Sequence, residues 1–300
     1  MKSTFQSKFF LTPYLIIFFS LQLNAQEELL QMLGEEETTS YTIASFKTNR
    51  IINLHSIENT ASGVLDFKIQ HRFGYLNGGI EEFFGIDQAT MRFGFDYGVT
   101  NRLQIGVGRS NYEKTLDGYL KFKLLRQSSG HKKMPFSASI VAGSTIKTNR
   151  WPEPDRNNLF SSRLSYHFQV LLARKFSEGF SFQLTPTVVH RNLVATRSEK
   201  NDVYALGAGL RQKITKRISI NAEYIYVLPD QLAPEYKNSV SLGFDIETGG
   251  HVFQLHFTNS TGMFERAFIA ETIGDVGKGD IRFGFNLSRV FTLAKPKVIE

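Results

Sequence analysis

From Val64 to Phe73, the residues Leu65, Phe67, Ile69 and Phe73 fall on one parity and Asp66, Lys68, Gln70 and Arg72 on the other. A strand turns successive side chains to opposite faces, so this stretch has one oily face and one charged face. The pattern returns in Met91, Phe93, Phe95, Tyr97 and Val99 against Arg92, Gly94, Asp96 and Gly98, and in Leu164, Tyr166, Phe168, Val170 and Leu172 against Arg163, Ser165, His167 and Gln169. It returns again around Ile220 and around Leu242. Period two dominates the chain. It predicts twelve strands, at 64–73, 89–99, 102–110, 117–126, 135–146, 161–176, 180–191, 202–214, 218–228, 238–247, 251–258 and 280–293. A tilted strand needs about 9–11 residues to cross a bilayer, and most of these are that long or longer.

The connections point the same way. Those after even-numbered strands are tight, as at Thr100-Asn101, Ser177-Glu178-Gly179, Thr215-Lys216-Arg217 and Thr248-Gly249-Gly250, with 127–134 the one longer exception. Those after odd-numbered strands are longer: 74–88, 111–116, 147–160, 192–201, 229–237 and 259–279. Outer-membrane barrels alternate in this way, with short periplasmic turns and long external loops. The expected fold is therefore all-β, a transmembrane antiparallel up-and-down β-barrel of about twelve strands with both termini in the periplasm. A lipocalin-like barrel with an oily interior is the competing architecture, but twelve strands enclose a width that apolar side chains alone fill poorly.

The start of the chain reads as an export signal. Lys2 and Lys8 precede an apolar run over 9–23, which ends at the small-residue junction Leu23-Asn24-Ala25. The run is interrupted by Thr12, Pro13, Ser20 and Gln22, which disfavours a membrane anchor. The expected organisation is a signal peptide over 1–25, a periplasmic or plug-like region over 26–63, a barrel over 64–293 and a tail over 294–300. Removing Lys2 and Lys8 leaves 33 basic residues against 28 acidic, a net charge of +5. With no basic run beyond His131-Lys132-Lys133, a nucleic-acid partner is not expected. The absence of cysteine excludes disulfides, thiolate metal sites and cysteine nucleophiles.

On this register the interior carries Asp66, Lys68, Arg72, Arg92, Asp96, Lys121, Lys123, Arg163, Arg211, Glu223, Asp245 and Arg282, eight basic and four acidic. The candidate solute path is Lys68, Arg72, Arg92, Asp96, Lys121, Lys123, Arg163, Arg211, Glu223 and Arg282. A water-filled lumen of this kind favours small anionic solutes. Such a lumen would make a passive pore or transport-type channel; the same charges could instead pair across strands and plug the barrel, leaving a structural or surface-binding role, and the pattern leaves both readings open. Phe73, Tyr112, Tyr119, Phe136, Phe160, Phe176, Phe180, Tyr226 and Phe291 lie near strand ends and fit interfacial girdles. Expected partners are outer-membrane lipid and the barrel assembly machinery, and the expected state is a monomer.

Catalysis is not expected. Ser165 and His167 share a strand face and could serve as nucleophile and base in a lipid hydrolase, but no orienting acid can be assigned to them. The fragments around Gly106-Val107-Gly108 and Gly207-Ala208-Gly209 lack the setting of a nucleotide loop. The acids around Gly277 and Gly279 read as a turn rather than a calcium loop. Neither a cofactor nor a metal site is expected.

Several runs in succession carry a resemblance: Gln70-His71-Arg72-Phe73-Gly74, Phe83-Phe84-Gly85-Ile86-Asp87, Arg92-Phe93-Gly94-Phe95-Asp96-Tyr97-Gly98, Gly106-Val107-Gly108-Arg109-Ser110, Lys114-Thr115-Leu116-Asp117-Gly118 and Lys123-Leu124-Leu125-Arg126-Gln127-Ser128. With Gly279-Asp280-Ile281-Arg282-Phe283-Gly284-Phe285-Asn286 near the end, the chain resembles an outer-membrane β-barrel family of Bacteroidota known as a domain of unknown function, over about 46–291. The resemblance implies an outer-membrane address and lends no catalytic residue or ligand. Many outer-membrane barrels end on an aromatic residue, whereas here residues 292–300 extend past Phe291.

Overall fold

The structure, a computed structural model, describes residues 38–294. The export signal, the acid cluster at 35–37 and the end of the tail lie outside the described residues. Two units make up the described chain. Residues 38–40 with 129–133 belong to a small unit of their own, and residues 41–128 with 134–294 contain the barrel.

Twelve strands close into one barrel among the described residues: β1 (Val64–Tyr75), β2 (Ala89–Gly98), β3 (Leu103–Ser110), β4 (Leu116–Leu125), β5 (Ser137–Ile146), β6 (Leu164–Lys175), β7 (Phe180–Arg191), β8 (Asp202–Lys213), β9 (Ile218–Val227), β10 (Ser239–Thr248), β11 (His251–Thr258) and β12 (Arg282–Thr292). Each strand pairs antiparallel with its chain neighbours. The first and last strands close the ring, with Leu287 opposite Ile69 and Phe285 opposite His71. Closure leaves no unpaired sheet edge, so the backbone groups are satisfied inside the sheet, as a bilayer requires.

The faces are inverted relative to a water-soluble barrel. Phe93, Val107, Leu120, Phe168 and Leu242 are 40–58% exposed on the outside, while Arg92, Asp96, Lys121, Gln169 and Glu223 are at most 2% exposed on the inside. Phe160, Phe176 and Phe291 are exposed near strand ends, consistent with a girdle, and the Phe176 and Phe180 rings lie 5.8 Å apart. Tyr119 departs from that expectation. It sits on the inward parity of β4, buried, and its hydroxyl donates to Asp96 Oδ1 at 2.6 Å.

One sector of the wall departs from the polar rule. Leu171 and Ala173 of β6, Val189 of β7, Val203 and Ala205 of β8 and Ile225 of β9 are buried inward. Four neighbouring strands thus present apolar groups to the lumen. Water there would be unfavourable, so this sector needs an apolar partner inside the barrel.

Candidate functional site

That partner is the chain itself. Residues 45–57 are mostly buried and enclosed by the wall, forming a tight hairpin. Arg50 pairs with His55, the Ile51 N–H donates to the Leu54 carbonyl at 2.8 Å, and the Ser56 N–H donates to the Asn49 carbonyl at 3.0 Å. The tip therefore lies at Ile52 and Asn53. The segment leaves through the short-turn end, where Ser62 bridges Gly98 and the Thr60 N–H donates to Gln104 Oε1 at 2.7 Å, and runs into β1.

The wall grips the hairpin through polar groups. Three successive backbone N–H groups, of Ile52, Asn53 and Leu54, donate to the Glu223 carboxylate at 2.9–3.2 Å. Successive N–H groups converging on one anion form a nest, a compact way to satisfy a buried carboxylate. Arg72 Nη2 donates to Asn53 Oδ1 at 2.9 Å, Asn286 Nδ2 donates to the Ile52 carbonyl at 3.2 Å, and Gln254 donates to the Ile51 carbonyl. Lys121 donates to the Ser56 and Glu58 carbonyls, and Gln183 Nε2 donates to the His55 carbonyl at 2.7 Å. On the apolar side, Phe46, Ile51, Leu54 and Ile57 join the wall sector described above.

A second insert comes from the long-loop end. The connection 259–281 folds inward around a short helix, α1 (Glu265–Ala270), all of whose residues are buried. The Ser239, Ser260 and Thr272 hydroxyls lie 2.6 and 2.8 Å apart in a chain that ties the loop to β10. Phe268, Ile269 and Ala270 complete the apolar cluster begun by the hairpin. The two inserts meet at Glu265: Arg50 Nη1 donates to its Oε1 at 2.8 Å, and His55 Nε2 lies 3.1 Å from the same oxygen.

The sequence-predicted solute path is thus largely occupied by protein. Arg72, Lys121 and Glu223 hold the hairpin, and Arg211 Nη1 reaches the Ala44 and Ser45 carbonyls at 3.3 Å. Asp96 accepts from Asn49 at 3.0 Å and from Lys68 at 2.9 Å, so Lys68 is paired as well. Arg92 makes a two-pronged bond to Asp117, with Nε to Oδ1 at 2.9 Å. Asp117 is a buried inward carboxylate that the sequence reading passed over. Arg282 donates to the Phe73 carbonyl at 3.0 Å and lies over the Tyr75 ring, near the long-loop end. Lys123 is half-buried near the short-turn end. Arg163 precedes β6 rather than lining it. It sits in a 3-10 turn, donates to the Lys147 and Asn149 carbonyls, and stacks on Trp151. No hydrogen bond joins Ser165 to His167 among the described residues; His167 Nε2 instead faces Glu265, 3.8 Å from Oε2.

A cavity remains at each end. One of about 400 Å³ lies at the short-turn end between Lys47, Glu58, Asp66 and Glu247. Another of about 250 Å³ lies at the long-loop end between Tyr112, Glu113, Lys147, Arg191, Glu199, Tyr236 and Glu271. At the second, Glu113 accepts from Lys147 at 2.8 Å and from Arg266, which also reaches Glu271. Burial alone would raise the Glu113 pKa, but the charges of Arg266 and Lys147 outweigh it and hold the carboxyl below its ordinary value. A depressed pKa contributes stability above the unfolded value of about 4.3, and that contribution is lost as pH falls through the lower folded value. The loop is therefore expected to loosen only below about pH 4. Pepsin, which works across that range, should cut within 259–281 increasingly as pH falls. In Glu113→Gln, cutting should already be fast at the upper end of the range and change less with pH.

Residues 46–291 match a family described as a membrane bound beta barrel domain, DUF5777. The chain belongs to this family. The match begins at Phe46, so it takes in the hairpin as well as the wall. Family membership, the closed ring and the outward apolar belt together make this an outer-membrane β-barrel, the setting in which bacterial barrels of this type reside. No curated protein matches the chain. Similar solved structures include the NanC porin (9% identity, 75% of this chain and 98% of that one, TM-score 0.48) and the KdgM porin (9%, 76% and 99%, 0.46). The COG4313 outer membrane channel from Pseudomonas putida F1 is also similar (15%, 78% and 98%, 0.43). The lumen, rather than these likenesses, carries the functional reading.

Proposed function

We propose that the protein is a gated pore that rests closed, with the hairpin at 49–56 as its gate and a small, preferentially anionic solute as its cargo. The observation that carries this is the manner in which the waist is filled. Two inserts from opposite ends meet between two solvent cavities, and no disulfide can fasten them because the chain has no cysteine. The hairpin tip is held to the wall by hydrogen bonds to Glu223, Arg72, Asn286 and Gln254, which water can replace once the hairpin leaves. The inward face of the wall strands carries buried Lys68, Arg72, Arg92, Lys121, Arg191, Arg211 and Arg282 against Asp66, Asp96, Asp117, Glu223 and Asp245. That is a small cationic excess, which favours anions in a confined aqueous path.

The reading is of transport rather than hydrolysis, since His167 is directed at a loop carboxylate and Ser165 is not bonded to it. The test is single-channel recording in planar bilayers. The full barrel should open rarely, whereas a form lacking residues 42–60 should show steady conductance steps with a modest anion preference. If the shortened barrel folds, as judged by heat-modifiable gel mobility, and yet stays silent, the pore reading fails and a permanently plugged scaffold takes its place.

A further inference from the structure

We propose that His55, His167 and Glu265 form a binding site for a divalent transition-metal ion, zinc by their donor chemistry, at the junction between the hairpin and the inserted loop. The three residues come from the hairpin, the β6 wall and α1, and one donor atom from each lies within 4.8 Å of the other two. All three are at most 2% exposed. His55 Nδ1 and Nε2 and His167 Nε2 are buried without a hydrogen-bond partner, although His55 Nε2 is only 3.1 Å from Glu265 Oε1. Buried nitrogens left unpartnered beside a carboxylate are costly. A shared cation would satisfy His55 Nε2 and His167 Nε2 together.

Donors around a tetrahedral zinc ion lie about 3.3 Å apart, given Zn–N and Zn–O distances near 2 Å. His55 Nε2 lies 3.1 Å from Glu265 Oε1 and His167 Nε2 lies 3.8 Å from Oε2, each within about half an ångström of that figure, and small side-chain shifts within the 4.8 Å cluster would bring one donor from each residue onto a common ion. Two imidazoles and one carboxylate suit zinc, with water as a fourth ligand. The surroundings hold the donors in place. Gly143 stands opposite His167 in the β5–β6 register, and a Cβ there would lie 2.3 Å from His167 Cε1, so glycine makes room for the ring. The Tyr119 ring meets His55 edge-on at 4.3 Å. Arg50 donates to Glu265 Oε1 at 2.8 Å, as outer partners of ligating carboxylates do, which leaves Oε2 turned toward His167. An ion bound here would join both inserts to the wall.

The experiment needs no conductance, so its outcome is separate from that of the pore reading. The full barrel is refolded with zinc alone, freed of excess metal by gel filtration and assayed for zinc by elemental mass spectrometry. About one ion per chain is expected. His55→Gln and His167→Gln should each lower retained zinc at least about tenfold, while His256→Gln, which alters a buried histidine outside the cluster, should retain it. Cobalt loaded in place of zinc should give the visible absorption of a four-coordinate ion. A wild-type barrel that retains no zinc, or a His55→Gln/His167→Gln double variant that retains as much as the wild type, overturns the proposal. If the variants do not fold, the wild-type cobalt spectrum decides: absence of the four-coordinate band overturns it too.

Discussion

In Glu223→Ala, the pore is expected to open far more often than in the parent barrel. Glu223 accepts three successive backbone N–H groups at the hairpin tip and the Ser241 hydroxyl at 3.2 Å. Alanine leaves those donors facing a small void. Each buried donor without a partner costs about 1–3 kcal/mol, less where water enters the space. Taking about 3 kcal/mol for the group as a whole, the closed state loses roughly two powers of ten against the open one, at 1.4 kcal/mol per decade. The wall strand loses only an inward side chain, so the barrel itself should still form. Single-channel open probability is the measurement, with Glu223→Gln expected to fall between parent and alanine because its amide oxygen still accepts. Unchanged open probability in a folded Glu223→Ala barrel would show that the hairpin is held by its apolar side and that Glu223 is no latch.

Arg92→Ala should be the most destabilising single change in the wall. Its guanidinium makes a two-pronged bond to Asp117 and a further bond to Gln70 Oε1 at 2.7 Å, with both members of the ion pair nearly devoid of solvent contact. Space for it is cut by Gly108, where a Cβ would sit 2.3 Å from Nη2. Removing one partner of a buried pair strands the other charge and costs about 3–5 kcal/mol. Much of that cost belongs to the stranded Asp117 rather than to the lost bond. The double variant Arg92→Met with Asp117→Leu should therefore recover most of the stability, as neutral replacements of similar volume do elsewhere. Urea unfolding of the barrel in lipid, followed by gel mobility, gives both values. A double variant no more stable than Arg92→Ala would mean that the cost lies in lost packing against Gly108 and the wall.

The strands could be read from the sequence to within three residues at every end, because strand parity is a local property and each residue declares its face by its polarity. The loop asymmetry was equally legible, being a matter of counting. Individual side chains near strand ends were harder. Tyr119 looked like a girdle residue by position, and only its parity, shared with Asp117 and Lys121, showed that it points inward. Arg163 has the parity of a lumen residue, but the strand begins only at Leu164, and a 3-10 turn takes Arg163 to the mouth. One overlooked signal did lie in the sequence. Leu171, Ala173, Val189, Val203 and Ile225 occupy the polar parity of four successive strands, which a water-filled lumen does not explain.

The alternation of side chains gave the strands and their two faces, since the direction of each side chain follows from its nearest neighbours along the strand, and the count of twelve strands with long loops at one end made the closed barrel an inverted one. What fills the barrel was decided only by the tertiary structure. The contacts of Glu223 with Asn53, of Arg50 with Glu265 and of His55 with His167 and Glu265 join residues remote in sequence, and no local period encodes such meetings.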